Sequence, residues 1–382
     1  MTDLAAAARA SGRLGIDTEF MGEGRYRSLL CLAQVAVESG DELLIEVIDP
    51  IAEDIDPSPL AEILADPAIE IILHAGRQDV ALLRRSWGTD LRNIFDTQVA
   101  AGFAGLPAQA GYETLLRELL GVKLRKTASY TRWDQRPLSD EQAEYAREDV
   151  LHLHQLADAL KDRLRTSERL EWAVEECRAL EEITDERDVD SIFARLPRVN
   201  GLDPRTRAIA RELVEWREGI AVAQDRPVQS VLADAALVEV AKRKPGDARA
   251  LENIRGINPG NLRRRGADIV DAVARGRERE PIEFEGERRP PPHPGDGQLI
   301  PLLEALVRAR ATEADLAYEL IAARADLQAI LTGARSGNEP EVRTLEGWRR
   351  ALVGDELLAL LAGERQLSVG AGFSVRITPD SG

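Results

Sequence analysis

Two carboxylates, Asp17 and Glu19, stand two residues apart directly after the apolar run Leu14–Ile16. If this run is a strand, its period of two places both carboxylates on the same face of a sheet. Two negative charges on a buried face are costly unless a cation neutralises them. Because divalent metal ions prefer hard oxygen ligands, the pair predicts a metal site.

Further acids occur in matching contexts. Asp79 follows the segment Leu73–Gln78, which places it in the first turn of a predicted helix. Asp149 lies late in a helix predicted to begin at Asp140, and Tyr145 precedes it by four residues, so the two share a helix face. Taken alone, Asp79 is better explained as a carboxylate that caps the helix or complements its dipole. Taken alone, the Tyr–Asp pair is more often a structural contact.

Together, the four carboxylates and the tyrosine suit phosphodiester hydrolysis by two metal ions about 4 Å apart. One ion orients and deprotonates water, and both stabilise charge on the transition state and the leaving oxygen. A tyrosine hydroxyl beside the water can position the nucleophile. Asp96, another acid at a predicted strand end, is interpreted as the cap of the helix that follows it.

The elements that must position these residues alternate between strand and helix. Short Gly-containing turns join the first three strands, which favours an antiparallel meander, and the later alternation predicts a mixed α/β sheet. The predicted strands are Arg13–Phe20, Cys31–Val37, Leu43–Asp49, Glu70–His74 and Ile94–Phe95. The predicted helices are Leu60–Leu64, Gln78–Ser86, Tyr112–Leu120 and Asp140–Leu164.

The rest of the chain is predicted to be helical. We expect a first α/β domain over residues 1–165, a helical connector over 166–200, and helical domains over 201–280 and 298–369. Residues 281–297 are charged and then rich in proline and glycine, which is typical of a linker, and residues 370–382 are predicted to be a loose tail. The similar sizes of the two helical domains favour a diverged repeat.

Composition limits the protein's class. The net charge of −17 argues against a surface covered in nucleic-acid-binding groups, but it allows a local basic patch or a metal-bridged phosphate site. No apolar run approaches the roughly 18 residues of a membrane span, and the first residues do not resemble an export signal. Cys31 and Cys177 form no metal-ligand cluster and fit a reducing compartment. We therefore predict a cytoplasmic protein without membrane association.

The order of the motifs resembles that of a known family. Asp-x-Glu-Phe at 17–20, Leu-His-Ala-Gly-x-x-Asp at 73–79 and Tyr-x-x-x-Asp at 145–149 are similar to the motifs of the DEDD exonucleases, specifically ribonuclease D. The segments Tyr26–Gln34, Ile48–Pro50, Phe95–Thr97 and Trp133–Leu138 match further parts of the family pattern, so that the resemblance spans roughly residues 13–160.

The resemblance implies a ribonuclease H-like exonuclease domain that uses two divalent ions, Mg²⁺ or Mn²⁺. Asp17, Glu19 and Asp149 would hold the water-bearing ion, Asp17 would bridge to the second ion, and Asp79 would support it through water. Tyr145 would orient the attacking water. The histidine subtype of the family would carry histidine where this chain has Glu144, which indicates the tyrosine subtype. Arg132 departs from an aspartate common in the family.

Several residues are candidates for RNA contact. Trp133 could stack on a terminal base and Phe20 could wedge against the terminal nucleotide, although either could instead pack in the core. Lys126 and Arg136 could pair with phosphate or remain solvated.

Residues 203–276 resemble the helicase-and-ribonuclease-D C-terminal (HRDC) module, a helical bundle that often binds nucleic acid. Between residues 201 and 280 there are 16 Lys or Arg against 13 Asp or Glu, in a chain that is otherwise acidic. The candidate RNA-binding residues there are Lys242, Lys244, Arg263 and Arg264. The alternative is an ordinary hydrated surface. Residues 298–363 resemble a second, diverged copy, for which an architectural role is expected.

These observations predict a monomeric 3′-5′ exoribonuclease that acts on single-stranded RNA 3′ ends and releases nucleoside monophosphates. The resemblance further implies that it trims transfer-RNA precursors and other stable RNAs. One alternative is a 3′-5′ exonuclease acting on DNA, since the acids do not distinguish the sugars. Another is a non-catalytic RNA-binding protein with a vestigial site. A helicase fragment is not supported because the sequence has no P-loop, and no nucleotide cofactor is expected.

Overall fold

The N-terminal part of the molecule is organised around one mixed sheet. The computed structural model describes residues 1–52, 54–124, 132–283 and 293–379. The strands of the sheet are β1 (Arg13–Met21), β2 (Leu29–Ser39), β3 (Glu42–Ile48), β4 (Glu70–Leu73) and β5 (Ile94–Asp96). Their order in space is β3-β2-β1-β4-β5. The first three are antiparallel neighbours, whereas β4 and β5 continue the sheet in parallel with β1, so the predicted meander and mixed sheet are confirmed.

Helices cover both faces of this sheet. They are α1 (Thr2–Ser11), α2 (Ser58–Ala65), α3 (Arg77–Trp87), α4 (Thr97–Phe103), α5 (Tyr112–Leu115), α6 (Asp140–Leu151), α7 (Leu153–Thr166) and α8 (Leu170–Arg178). One face packs its β-branched and leucine side chains against α1, α2 and α3. The opposite face is covered by α4, α6 and α7. Because β1 lies at the centre, residues on either of its faces are shielded from solvent.

Two helices differ from the sequence expectation. Helix α1 was not predicted, although its leucine and alanine side chains are buried against the sheet. The long helix predicted over Asp140–Leu164 is interrupted at His152, which separates α6 from α7. The bend leaves α6 over β1, β2 and β3 and lets α7 continue beside β4.

The C-terminal half is helical, as predicted. After α9 (Val189–Ala194), the first helical block (residues 204–279) contains α10 (Pro204–Ala223), α11 (Val228–Val231), α12 (Asp234–Arg243), α13 (Ala248–Leu251) and α14 (Pro259–Glu278). The second helical block (residues 296–361) contains α15 (Asp296–Glu313), α16 (Tyr318–Ile321), α17 (Arg324–Ser336), α18 (Gly347–Arg349) and α19 (Asp355–Leu361). None of the described helices is long and apolar enough to cross a membrane.

The two blocks begin with the same local structure. In each, the turn directly after a long helix contains an aspartate with positive φ, Asp225 (φ 43°) or Asp315 (φ 48°), and these two residues lie 90 positions apart. A four-residue helix follows, and α11 and α16 are again 90 residues apart. This constant spacing indicates an internal structural repeat.

The end of the chain differs from the loose tail expected over 370–382. Strands β6 (Arg365–Val369) and β7 (Val375–Pro379) form an antiparallel hairpin. The hairpin contacts α15 and α19, and the half-buried side chains of Leu367 and Ile377 pack against the core of the second block. Packing against helices that are distant in sequence therefore stabilises these short strands. Most of the predicted linker lies outside the described residues.

Candidate active site

The central strand β1 presents the first two acids of the site. Asp17 and Glu19 share the sheet face that α6 and α7 cover, since a Cβ at Gly15, on the same face, would lie 3.2 Å from the His154 ring. The residues that alternate with them, Ile16 and Thr18, face the other side of the sheet, where Ile16 enters the core. The pairing register with β2 shifts between Glu19 and Phe20, so the strand is irregular directly after the second acid.

Helix α6 brings Tyr145 and Asp149 to this face. Its start is fixed by a capping box, in which the Ser139 hydroxyl accepts from the Gln142 backbone N–H and the Gln142 side chain accepts in return from the Ser139 N–H. Tyr145 and Asp149 are one turn apart and hydrogen-bonded through their side chains. One carboxylate oxygen from each of Asp17, Glu19 and Asp149 lies within 4.8 Å of the others.

Asp79 approaches the cluster from α3. It lies in the first turn of that helix, as predicted, and is 7% exposed. Its carboxylate accepts a hydrogen bond from the hydroxyl of Thr18, the residue between the two acids of β1. The contact of Thr18 was not foreseen from the sequence, because it depends on how α3 packs against the sheet.

Burial is the main cause that raises the pKa values of all four carboxyl groups. The pKa of Asp17 is raised well above its usual value, by burial and then by the charges of Asp79, Asp149 and Glu19. Burial, with repulsion from Asp149 and Asp79, raises the pKa of Glu19 to about 8. Burial also raises the pKa of Asp149 to about 7 and that of Asp79 to about 6, although the Tyr145 and Thr18 hydroxyls oppose these shifts. Ionisation of the whole set therefore requires compensating positive charge.

The donor set fits hard divalent cations. The converging ligand atoms are carboxylate oxygens, the type that Mg²⁺ and Mn²⁺ prefer. Buried carboxylates this close together have raised pKa values in the absence of a cation, and a bound divalent ion would favour their ionised forms. The cluster therefore has the composition and the electrostatics of a divalent-metal site.

Comparison with known proteins identifies the family. A family model described as 3′-5′ exonuclease matches residues 1–165, and the HRDC domain model matches residues 206–273. Ribonuclease D of Granulibacter bethesdensis is 37% identical over 96% of this chain and 92% of its own length. Ribonuclease D of Gluconacetobacter diazotrophicus is 35% identical over 97% of this chain and 92% of its own.

The chain belongs to the ribonuclease D family. The crystal structure of Escherichia coli ribonuclease D, described as an exoribonuclease involved in structured RNA processing, superposes with a TM-score of 0.81 at 28% identity. The match covers 94% of this chain and 96% of that one. The protein is a hydrolytic 3′-5′ exoribonuclease with an HRDC domain. The predicted folds of the exonuclease domain and of the HRDC domain are thus confirmed. The family and the acidic cluster together indicate divalent metal ions as cofactors.

Within this ribonuclease D fold, the candidate RNA contacts of the exonuclease domain differ in exposure. Trp133 is 6% exposed and packs in a small core cluster with Leu32 and Ala146, which favours its core role over base stacking. Arg136 donates to both carboxylate oxygens of Asp49 and to the Trp133 carbonyl, so its guanidinium is engaged within the protein. Its location favours a structural role over phosphate binding.

The other candidates are divided between the two domains. Phe20 is half-buried against the core under α1 to α3. Lys126 lies outside the described residues. Lys242 is exposed, whereas the Lys244 amine lies 4.0 Å from the carboxylate of Asp203. These two lysines lie at one end of the HRDC bundle, near the C-terminus of α14.

Arg263 and Arg264 lie at the other end of α14, a helix about 30 Å long. Both are exposed, and Arg264 lines a cleft of about 490 Å³ together with Arg226 and with Gly24 of the exonuclease domain. Arg226 was not among the predicted RNA contacts, because only the antiparallel packing of α10 and α14 brings it beside Arg264. The predicted basic residues thus form two separate groups.

Proposed function

We propose that this protein removes nucleotides from single-stranded RNA 3′ ends by a two-metal-ion mechanism and releases nucleoside 5′-monophosphates. The main support for this proposal is that carboxylate oxygens of Asp17, Glu19 and Asp149 lie within 4.8 Å of one another. The Tyr145 hydroxyl is hydrogen-bonded to Asp149 beside them. Oxygen ligands at this density suit two divalent ions, Mg²⁺ or Mn²⁺.

The carboxylates would share the work of holding the ions. Asp17, Glu19 and Asp149 would ligate one ion, Asp17 would also face the second, and Asp79 would support that second ion through water. Thr18 holds the Asp79 carboxylate in place by its hydrogen bond. When bound, the ions lower the pKa of water and balance the charge that develops on the phosphate.

Tyr145 is suited to orient water and not to act as a base. Burial and the charges of Asp149, Glu19 and Asp17 raise the pKa of its hydroxyl. The hydroxyl therefore remains protonated at neutral pH. Held by Asp149, it can fix the direction of a water molecule by accepting or donating a hydrogen bond.

The cleft between the exonuclease domain and the HRDC domain provides a path for the RNA upstream of the cleaved bond. Arg226, Arg263 and Arg264 have no carboxylate partner among the residues that the structure describes. The pKa of the neighbouring Arg265 is lowered by burial and by repulsion from Arg264 and Arg226, which outweigh the attraction of Asp268, so positive charge predominates at this end of the domain. Phosphate groups of a single strand would neutralise it.

The second helical block is proposed to be a diverged HRDC copy with an architectural role. The 90-residue spacing supports the relationship, and its extensive contact with the exonuclease domain supports the role. Transfer-RNA precursors as substrates, a monomeric state and a cytoplasmic location stay predictions.

Cleavage of 5′-labelled RNA with a single-stranded 3′ end tests the proposal. Wild-type protein should produce a ladder that shortens from the 3′ end with Mg²⁺ or Mn²⁺ and none with EDTA. Asp17→Asn should lower the rate by more than the roughly 10–100-fold typical of a residue outside the ligand set. The matched control is Asp41→Asn, which changes an exposed aspartate in the β2–β3 turn and should leave the ladder unchanged.

The same assay on the matching DNA separates the alternatives. An equal or faster ladder on DNA would replace the proposal with a DNA exonuclease. RNA binding without cleavage under either metal would instead indicate a vestigial site.

A further inference from the structure

Gln34 is a buried polar residue without a partner. Its side chain in β2 is 0% exposed, yet neither Oε1 nor Nε2 has a hydrogen-bond partner among the residues that the structure describes. Leaving a buried amide unpaired is costly, because its groups give up hydrogen bonds to water and gain none in the protein. Such groups are few in folded proteins, and each calls for a physical explanation.

The sheet register places Gln34 directly beside the metal site. Gln34 is the cross-strand partner of Asp17 on β1 and of Val47 on β3, so its side chain shares the face of the sheet that carries Asp17. Cβ atoms of such partners lie about 4.5–5.5 Å apart, within the reach of a glutamine amide. Along β2, the nearest residues on this face are Leu32 and Ala36, both apolar.

Helix α6 closes this face from above. It packs on β1, β2 and β3 and carries Tyr145 and Asp149 towards the same pocket. The strand neighbour of Gln34 on β1 and the two polar residues that α6 brings to this face therefore belong to the acidic site. The Gln34 amide is buried, has no partner among the described residues, and has a candidate metal ligand as its strand neighbour. It is therefore placed to hydrogen-bond to that ligand.

We infer that Gln34 is a positioning residue: its Nε2–H, without a partner among the described residues, donates a hydrogen bond to the Asp17 carboxylate when the divalent ions bind, which fixes the orientation of that ligand. This inference rests on the proposed metal mechanism. A carboxylate has about four lone-pair sites, so Asp17 can accept this bond and still serve as a ligand. A neutral amide can orient the carboxylate and leave its negative charge available to attract cations. A lysine or arginine at this position would instead cancel that charge.

Metal binding and metal-free stability together test the inference. Mn²⁺ binding to the full-length protein is measured by calorimetry without RNA, and unfolding is measured by thermal melting in EDTA. Gln34→Leu should weaken Mn²⁺ binding by about 10–100-fold, the range expected for a group that orients a ligand. Its melting temperature in EDTA should be unchanged or higher, because the substitution removes a buried amide that has no partner.

His154→Leu is the matched control. His154 is 2% exposed, both of its ring nitrogens lack partners among the described residues, and it packs on the same sheet face at Gly15. Burial, and then the positive charge of Arg13, lower its pKa to about 4, so the substitution does not change the charge near neutral pH. It should leave Mn²⁺ binding unchanged.

The outcomes separate this inference from the mechanism on which it rests. If wild-type protein binds no Mn²⁺, the metal mechanism itself fails. If wild type binds and Gln34→Leu binds equally well, the inference is overturned. Gln34→Met, which preserves the side-chain volume more closely, guards against a packing defect. If both variants lose stability in EDTA to the same degree as they lose affinity, the amide serves the fold and the positioning role is overturned.

Discussion

The two C-terminal helical blocks are joined to the exonuclease domain by different chemistry. The first block is held by polar contacts. The Tyr26 hydroxyl, in the loop between β1 and β2, donates to Glu218 at 2.7 Å, and Arg187 donates to the same carboxylate at 2.9 Å. Arg25 and Asp225 form a further ion pair at 2.7 Å.

The second block shares an apolar core with the exonuclease domain. The Trp348 ring packs edge-on against Phe103 with centroids 5.1 Å apart and stacks on Trp172 at 5.3 Å. A Cβ at Gly102 would lie only 3.0 Å from Leu320, which shows how closely α4 approaches this block. The leucines of α15, α17 and α19 belong to the same continuous core as those of α7.

We expect this difference to leave the first block less firmly attached than the second. The Arg25–Asp225 pair is partly exposed and such pairs contribute about 0–1 kcal/mol, whereas the bonds to the buried Glu218 contribute more. Detaching the second block would expose large aromatic and aliphatic surfaces to water. The HRDC domain is therefore suited to follow the RNA strand, whereas the second block is part of the scaffold that supports the catalytic sheet.

The largest expected effect concerns the apolar interface. Trp348→Ala should lower the free energy of unfolding by about 3–5 kcal/mol, because it leaves a cavity between the two units. Urea unfolding followed by circular dichroism measures the change. The matched control is Trp216→Ala, since Trp216 is a half-buried tryptophan of the first block. Trp216→Ala should lower the free energy of unfolding by less and should leave the urea midpoint of the exonuclease domain unchanged. Equal losses would contradict the distinction between the blocks.

The sequence predicted the acidic site because each acid is positioned by one local element. Asp17 and Glu19 share a face through the strand period, and Tyr145 and Asp149 share a face through the helix period. Asp96 also fulfils its prediction, since its carboxylate accepts from the backbone N–H groups of Gln98 and Val99. Periodicity and capping are local rules, so a single sequence contains them.

Contacts between distant elements could not be predicted in this way. The pairing of Gln34 with Asp17 depends on strand register, and the pairing of Arg136 with Asp49 joins residues 87 positions apart. Arg226 acquires its place beside Arg264 only when α10 packs against α14. The sequence contains the side chains but not the register or the packing angle, which are set by the whole core.

The acidic site and the polar interface should differ in how their protonation changes with pH. Glu19 and Asp149 have pKa values raised to about 8 and about 7. Burial opposes ionisation of Glu218, but the hydrogen bonds from Arg187 and Tyr26 hold its pKa below its usual value. Between pH 6 and 8, the carboxyl groups of the site therefore lose protons while the interface stays ionised.

The sign of the effect follows from these shifts. A carboxyl group whose folded pKa is raised stabilises the metal-free fold in acid, and this contribution is lost as pH rises from about 4.5 to about 8 for Glu19. Metal binding displaces the same protons, so Mg²⁺ affinity should rise by about tenfold per pH unit for each proton displaced. Calorimetry at pH 6, 7 and 8 measures this slope. A flat profile would mean that the carboxylates are already ionised at pH 6.

Charge reversal in the arginine cleft should weaken RNA binding. Arg226→Glu combined with Arg264→Glu should lower the slope of log affinity against log salt by about 1.4, since a single strand contributes about 0.7 per phosphate contact. Binding of a labelled single-stranded RNA across a salt series measures it. Arg365→Glu with Arg376→Glu makes the same charge change on the C-terminal hairpin and should leave the slope nearly unchanged. Equal slopes for the two double variants would remove the cleft from the RNA path.

The smallest expected effect is at the polar interface itself. Tyr26→Phe removes the hydroxyl that donates to Glu218 but keeps the ring, so we expect a loss of about 1 kcal/mol in docking of the HRDC domain. Cleavage of a long RNA should slow several-fold at limiting concentration, whereas cleavage of a dinucleotide, too short to reach the HRDC domain, should not change. Tyr318→Phe, in the second block, should leave both rates unchanged. A dinucleotide rate that falls together with the long-RNA rate would mean that the loop after β1 acts on the acidic site directly, and the HRDC domain would then be coupled to catalysis and not only to binding.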